Sequence, residues 1–127
     1  MSEGAIWVAV SDRPIDVCDL MRGVEDSGHG AQTLFCGVVR NSNLGKKVLA
    51  VSYDAFGPLA EKTFRDICEE AQLKWGNSLR AVVMHRTGKL QVGEISVGIA
   101  VGWRWMRPNS KPVASSAIRV PPRRFFH

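Results

Sequence analysis

The sequence has no long apolar run: its longest hydrophobic stretches fall far short of the ~20 residues a membrane-spanning helix needs, so no membrane segment is expected. Its three cysteines, Cys18, Cys36 and Cys68, are odd in number and widely spaced. They make neither a zinc pattern nor a disulfide framework, and read as reduced core thiols. The opening residues, Met-Ser-Glu-Gly-Ala, lack a basic segment leading into an apolar core, so no secretory signal is read there. Phosphate-binding glycine loops of either standard spacing, nucleophile elbows, His-Glu-x-x-His and paired-cysteine motifs are all missing. No metal and no cofactor is therefore expected, and a cytosolic chain fits.

Acidic residues are missing from one region only. Residues 1–102 carry 11 Lys/Arg and all 12 Asp/Glu, whereas residues 103–127 carry six Lys/Arg, no acid and four of the six prolines. The net charge of +5 thus belongs to the tail. This divides the chain into a near-neutral domain, 1–102, and a divergent basic tail, 103–127. Whole-chain basicity gives no argument for nucleic acid. Trp103, Trp105, Phe125 and Phe126 among arginines would suit stacking on bases. The same composition is that of a disordered terminus, so nucleic acid is not expected as a partner.

With 127 residues and 45% apolar content, one domain with a real core is expected. Residues 6–10 are β-prone. Ser11 or Asp12, with Pro14 in the first turn, reads as a helix start. Ile15, Cys18, Leu20, Met21 and Val24 follow as an apolar stripe. Residues 25–30 read as a loop with a solvated His29. Strands are expected at 32–40 and 47–56, joined as an antiparallel hairpin by a short Asn-rich loop. The clearest helix is 58–75, with Phe64, Ile67, Cys68, Ala71 and Trp75 on one face. Further strands are expected at 79–85 and 95–101. Residues 86–89 read as a turn, with His85 capping it, and Gly98 permits a bulge or a close backbone approach. The order predicts an α+β fold, a mostly antiparallel sheet with two packing helices.

The chemistry concentrates at residues 33–45. An apolar run, Leu34–Val39, ends at Arg40 and passes into Asn41, Ser42, Asn43 and Gly45. A guanidinium at a strand end, beside backbone amides released from the ladder, suits an anion such as phosphate. An ordinary edge arginine in a surface ion pair is the plainer alternative.

Phe35-Cys-Gly-Val-Val-Arg40-Asn41-Ser-Asn43-Leu44-Gly45 closely resembles the strand–loop signature of the molybdopterin synthase large (catalytic) subunit family, the MoaE type. The resemblance continues through Val51-Ser-Tyr53-Asp-Ala-Phe and His85-Arg86-Thr-Gly88-Lys-Leu90-Gln-Val-Gly93-Glu94, covering about residues 5–102. It implies the family's α/β hammerhead fold and a sulfurtransferase role in molybdenum cofactor biosynthesis. In that reaction precursor Z, a cyclic pyranopterin monophosphate, receives two sulfurs and becomes the molybdopterin dithiolene. The sulfur comes from a thiocarboxylate at the C-terminus of a small ubiquitin-like subunit. Two large subunits form a central homodimer within a heterotetramer. The resemblance implies substrate binding by Val38, Val39 and Arg40, with Asn41 and Arg104 as further candidates.

The resemblance stops at residue 102. The family continues with an His-Arg pair, a long amphipathic helix and a lysine-bearing segment that supplies active-site lysines. Here Trp103-Arg-Trp-Met-Arg-Pro follows, and Pro108 and Pro112 oppose a long helix. Val120-Pro121-Pro122-Arg123-Arg124 only echoes the lysine segment, and arginine cannot replace a lysine that gives up a proton. No residue is therefore assigned as the catalytic lysine. A shifted reading frame or alternative exon would account for the tail. A catalytically impaired relative, which keeps dimer or small-subunit binding, is the alternative function.

Overall fold

A computed structural model gives the fold and describes residues 5–53 and 57–104. Expectations that fall on residues 54–56 and 105–127, including the end of the 47–56 strand, the prolines of the tail and the Val120–Arg124 segment, lie outside the described residues. The elements in order are β1 (Ile6–Ser11), α1 (Val17–Gly23), β2 (Ala31–Val38), β3 (Ser42–Asn43), β4 (Lys46–Lys47), β5 (Ala50–Tyr53), α2 (Gly57–Trp75), β6 (Arg80–Arg86), β7 (Gly88–Gln91) and β8 (Ile95–Trp103). A four-stranded sheet in the order β1-β6-β8-β2 carries the domain. Only β1 and β6 run parallel within it, and the pairs β6–β8 and β2–β8 are antiparallel. This is the expected α+β class.

The two faces of the sheet are packed by different helices. Residues alternate across a strand, so Val82 of β6 and Ala100 of β8 face α1, where Leu20 and Val24 are fully buried. Gly98 is on this same face. A Cβ there would lie 2.5 Å from Leu20 Cδ1, so the close backbone approach expected of it is real. Ala81 and Val83 face the other way and join Val8, Leu79 and Cys68 of α2 in a second cluster.

The start of α1 differs from expectation. Asp16 caps the helix, its carboxylate accepting from Cys18 N at 2.9 Å. Ser11 and Asp12 do not, because β1 runs through Ser11, whose carbonyl accepts from Thr87 N at 2.9 Å. The Ser11 hydroxyl instead accepts from Arg13 N, closing a local turn before Pro14. His29, expected in solvent, is half-buried beside Gly102.

Strand pairing differs more. β2 does not form a hairpin with the strand that follows it; its ladder partner is β8, from Ala31↔Trp103 to Val38↔Ile95. A register shift between Gly37 and Val38 ends that ladder and redirects the chain. The reversal itself is a miniature hairpin, β3–β4, turning through Leu44 (φ 51) and Gly45 (φ 77). Both central residues are left-handed, as a type I′ turn requires; glycine tolerates this and leucine does so at a steric cost. β5 then pairs with β7 in a separate ladder, Ala50↔Gln91 to Tyr53↔Gly88. The turn expected at 86–89 is accordingly shorter, because Gly88–Gln91 is strand and Leu90 is fully buried. β6 also runs on through Arg86, so His85 caps no turn. Its ring lies 5.6 Å from that of Tyr53, edge-on, and 6.0 Å from that of Phe64, stacked.

Helix α2 ends at Trp75 as the sequence predicts and begins at Gly57, one residue before the expected start. Its apolar face is only partly used. Cys68 is buried, but Ile67 is 57% exposed and Trp75 51%. The helix packs over β1, at one side of the sheet. A cleft of about 480 Å³ remains between it and the β8–β2 side, lined by Ile67, Trp75, Ile99 and Val101 among others.

Candidate functional site

The register shift that ends β2 also creates the candidate site. Beyond Gly37, Val39 leaves the main ladder and bonds the tight turn before β8 in both directions. Its N–H donates to Glu94 O at 3.0 Å and its carbonyl accepts from Gly93 N at 2.8 Å. Val39 is thereby buried, and Arg40, one residue further, is exposed. The small hairpin folds back over this point, tied by Val48 N donating to Asn41 O at 2.8 Å.

A pocket of about 290 Å³ opens there, lined by Val38, Val39, Arg40, Ser42, Asn43, Val48, Val51 and Tyr53. The walls are mixed: four valines together with a guanidinium, a hydroxyl, a carboxamide and a phenol. Arg40 Nη2 donates to Asn43 Oδ1 at 3.2 Å. Among the described residues no carboxylate pairs with Arg40; the ion pairs there are Arg22–Asp19, Lys62–Asp66, Arg80–Asp26 and Arg86–Glu94. The β3–β4 register sets Lys46 across from Asn43 and Lys47 across from Ser42. Three cationic side chains thus sit within one short segment, which favours an anionic ligand.

Of the residues singled out from the sequence, Val38, Val39 and Arg40 come together on this pocket. Asn41 does not line it and serves the hairpin through its backbone; Asn43 is the carboxamide that meets Arg40. Arg104 lies just past the far end of β8. Val38 is paired with Ile95 at the start of that nine-residue strand, so at ~3.3 Å per residue Arg104 is about 30 Å away along it. Within one chain it cannot share a ligand with Arg40. It borders a shallow hollow with Gly28, Trp75 and Trp103.

Val48, Val51 and Tyr53 were not legible as site residues. Val48 arrives through its bond to Asn41 O, and Val51 and Tyr53 through the β5–β7 ladder, a pairing that no local pattern specifies. The sole tyrosine of the chain was the one available signal. The apolar cleft beside α2 offers no comparable chemistry. Its thiol, Cys68, is pushed up from its ordinary value by burial, which opposes formation of the reactive thiolate. Among the described residues no group of three or more His, Cys, Asp or Glu is placed to hold a metal ion, and no helix is long and apolar enough to cross a membrane.

Fold and pocket together define an α+β domain with an open, cation-bearing site where an antiparallel ladder ends. The model of the family described as "MoaE protein" matches residues 10–105, and the chain belongs to that family. A molybdopterin synthase catalytic subunit of Nostoc sp. is 36% identical over 94 residues, 74% of this chain and 57% of the Nostoc protein. One from Drosophila willistoni is 41% identical over 87 residues, 68% of this chain and 23% of that protein. The chain therefore spans little more than half, or less, of these curated relatives. The crystal structure of molybdopterin synthase from Staphylococcus aureus superposes with a TM-score of 0.69 at 30% identity, covering 84% of this chain and 74% of that one.

Proposed function

We propose that this chain acts as the large, catalytic subunit of a molybdopterin synthase. It would bind precursor Z at the Arg40 pocket and direct sulfur to it from the C-terminal thiocarboxylate of a small ubiquitin-like subunit. The observation that carries this reading is the exposed Arg40, with no carboxylate partner among the described residues, lining an open pocket together with Val38 and Val39. A cyclic phosphate is an anion that a guanidinium grips through two parallel hydrogen bonds. The valines offer the pterin an apolar wall, and Asn43 fixes the guanidinium plane.

The competing reaction is hydrolysis of the thiocarboxylate, so water must be kept from the acyl group during transfer. Pairing of two large subunits, with a small subunit at each end, would complete the assembly in the cytosol. The domain carries the site in this reading and runs one residue past the expected 1–102 boundary, since Trp103 closes β8 opposite Ala31.

A second reading is a relative that binds its partners without turnover. It is favoured by the lack of any match for the family's active-site lysines and by the position of Arg104, remote from Arg40. Single-turnover conversion of precursor Z by the full chain with thiocarboxylated small subunit separates the two. Molybdopterin formation that collapses for Arg40→Ala supports the enzyme. Small-subunit binding without product supports the binding module, and neither binding nor product contradicts both.

A further inference from the structure

The Arg86–Glu94 ion pair lies outside the pocket, yet it is joined to it through the turn that Glu94 closes. Arg86 stands at the end of β6 with its side chain 13% exposed. One terminal nitrogen pairs with Glu94 Oε2, and the other donates to Asp12 O at 3.2 Å. The second carboxylate oxygen of Glu94 accepts from Gln91 N at 3.3 Å, and Glu94 N donates to Gln91 O at 3.1 Å. The turn 91–94 is thus closed on itself by Glu94 and pinned to the main sheet by Arg86. This same turn holds Val39 in both directions, through Glu94 O and Gly93 N.

The ladder gives Val39 no substitute. Upstream, β2 is secured by its register with β8 and by Ser96 Oγ donating to Gly37 O at 3.1 Å. Past the Gly37/Val38 shift that support shrinks to one further pair, Val38↔Ile95. Downstream, the Asn41–Val48 bond ties the hairpin to itself and gives it no anchor on the sheet. The turn 91–94 is therefore the contact that directs Arg40 out of the fold; the β7 and β8 ladders hold its ends at Gln91 and Ile95, and the ion pair braces it across to β6.

We infer that Arg86 and Glu94 are positioning residues for Arg40: the pair holds the 91–94 turn, the turn clamps the Val39 backbone, and the clamp aims the guanidinium into the pocket. The inference rests on the reading of Arg40 as the anchor for the substrate phosphate. It makes the pair part of the binding apparatus, although neither side chain touches the ligand. The effect should appear in substrate affinity, because a misdirected anchor still leaves the small-subunit contacts in place.

The test is calorimetric titration of precursor Z into the full chain. The variants are Arg40→Ala, Glu94→Ala, Glu94→Gln, Arg86→Lys and the Arg40→Ala/Glu94→Ala double. Glu94→Ala should weaken binding about tenfold, whereas Glu94→Gln, which retains an acceptor for Arg86, should stay within about threefold. Arg86→Lys, a single point donor that cannot hold Glu94 and Asp12 O together, should fall between them. It carries the test if Glu94→Ala fails to fold. In the double variant Glu94→Ala should add nothing to Arg40→Ala, since both remove the same contact. Folded Glu94→Ala and Arg86→Lys proteins with unchanged affinity would overturn the inference, as would losses that multiply in the double variant. Unchanged affinity in Arg40→Ala would instead overturn the reading of the site, and the inference with it.

Discussion

Two of the cavities among the described residues teach opposite lessons. The cleft beside α2 is the larger, about 480 Å³, and its walls are almost wholly apolar. The pocket at the end of β2 is about 290 Å³ and brings a guanidinium, a hydroxyl, a carboxamide and a phenol together with valines. Volume alone would choose the first. Chemistry chooses the second, because an anchored anion needs convergent donors. The cleft records how a helix was placed: α2 packs over β1 and leaves part of its apolar face, and of the sheet, beside an opening. The pocket records how a strand was ended: a one-residue shift turns Val39 out of one ladder and onto another element.

The sharpest way to break this contrast is to compare a sealed face with the open one. Leu20, fully buried against Val82 and Ala100, should cost about 3–4 kcal/mol on truncation to Ala, read by chemical denaturation. Ile67, 57% exposed on the rim of the cleft, should cost less than about 1 kcal/mol. Equal losses would mean that the cleft is packed as tightly as the α1 face.

The next effect is in binding. Arg40→Ala should reduce affinity for precursor Z by about 10- to 100-fold, the range of a charged hydrogen bond, while leaving the unfolding midpoint unchanged. Ile67→Ala should do neither. A smaller contrast lies inside the loop. Asn43→Ala frees the Arg40 guanidinium and should weaken binding about fivefold, whereas Asn41→Ala, whose side chain is not in the pocket, should change it less than about twofold.

The smallest effect is on pH. Burial raises the Cys68 thiol above its ordinary value of 9.0, so the unfolded chain releases this proton first as pH rises. Its contribution to stability is complete below the unfolded value and is lost as pH climbs through the folded one. The alkaline limb of a stability–pH curve should therefore fall less steeply in Cys68→Ala than in the parent. Identical slopes would show that the thiol is no better shielded than an exposed one.

How much of this was legible depended on whether the cause was local. Helix α2 was, because its stripe and the Gly76 stop lie within one segment. So were the strands at 6–10 and 95–101. The cap of α1 was misplaced because Ser11, Asp12 and Asp16 all offer side-chain oxygens, and only the pairing of β1 with β6 decides where the strand ends. The β2–β8 pairing joins residues some sixty positions apart, a distance at which loop length says nothing, and the nearby reversal at Leu44–Gly45 made a simple hairpin the natural expectation. The site divided in the same way. Val38, Val39 and Arg40 sit on one strand end and could be named together. Tyr53 and Val51 reach the pocket only because β5 pairs with β7, and which of Asn41 and Asn43 meets Arg40 is settled only in the folded hairpin.

Whether ligand chemistry belongs to the small pocket or to the large cleft is read from two-dimensional NMR of the full chain during titration with precursor Z. Binding at the pocket gives saturable shifts centred on Val39, Arg40, Asn43 and Tyr53 that vanish in Arg40→Ala. Shifts centred on Ile67, Trp75 and Val101, or shifts at the pocket that survive the loss of Arg40, would place the ligand elsewhere.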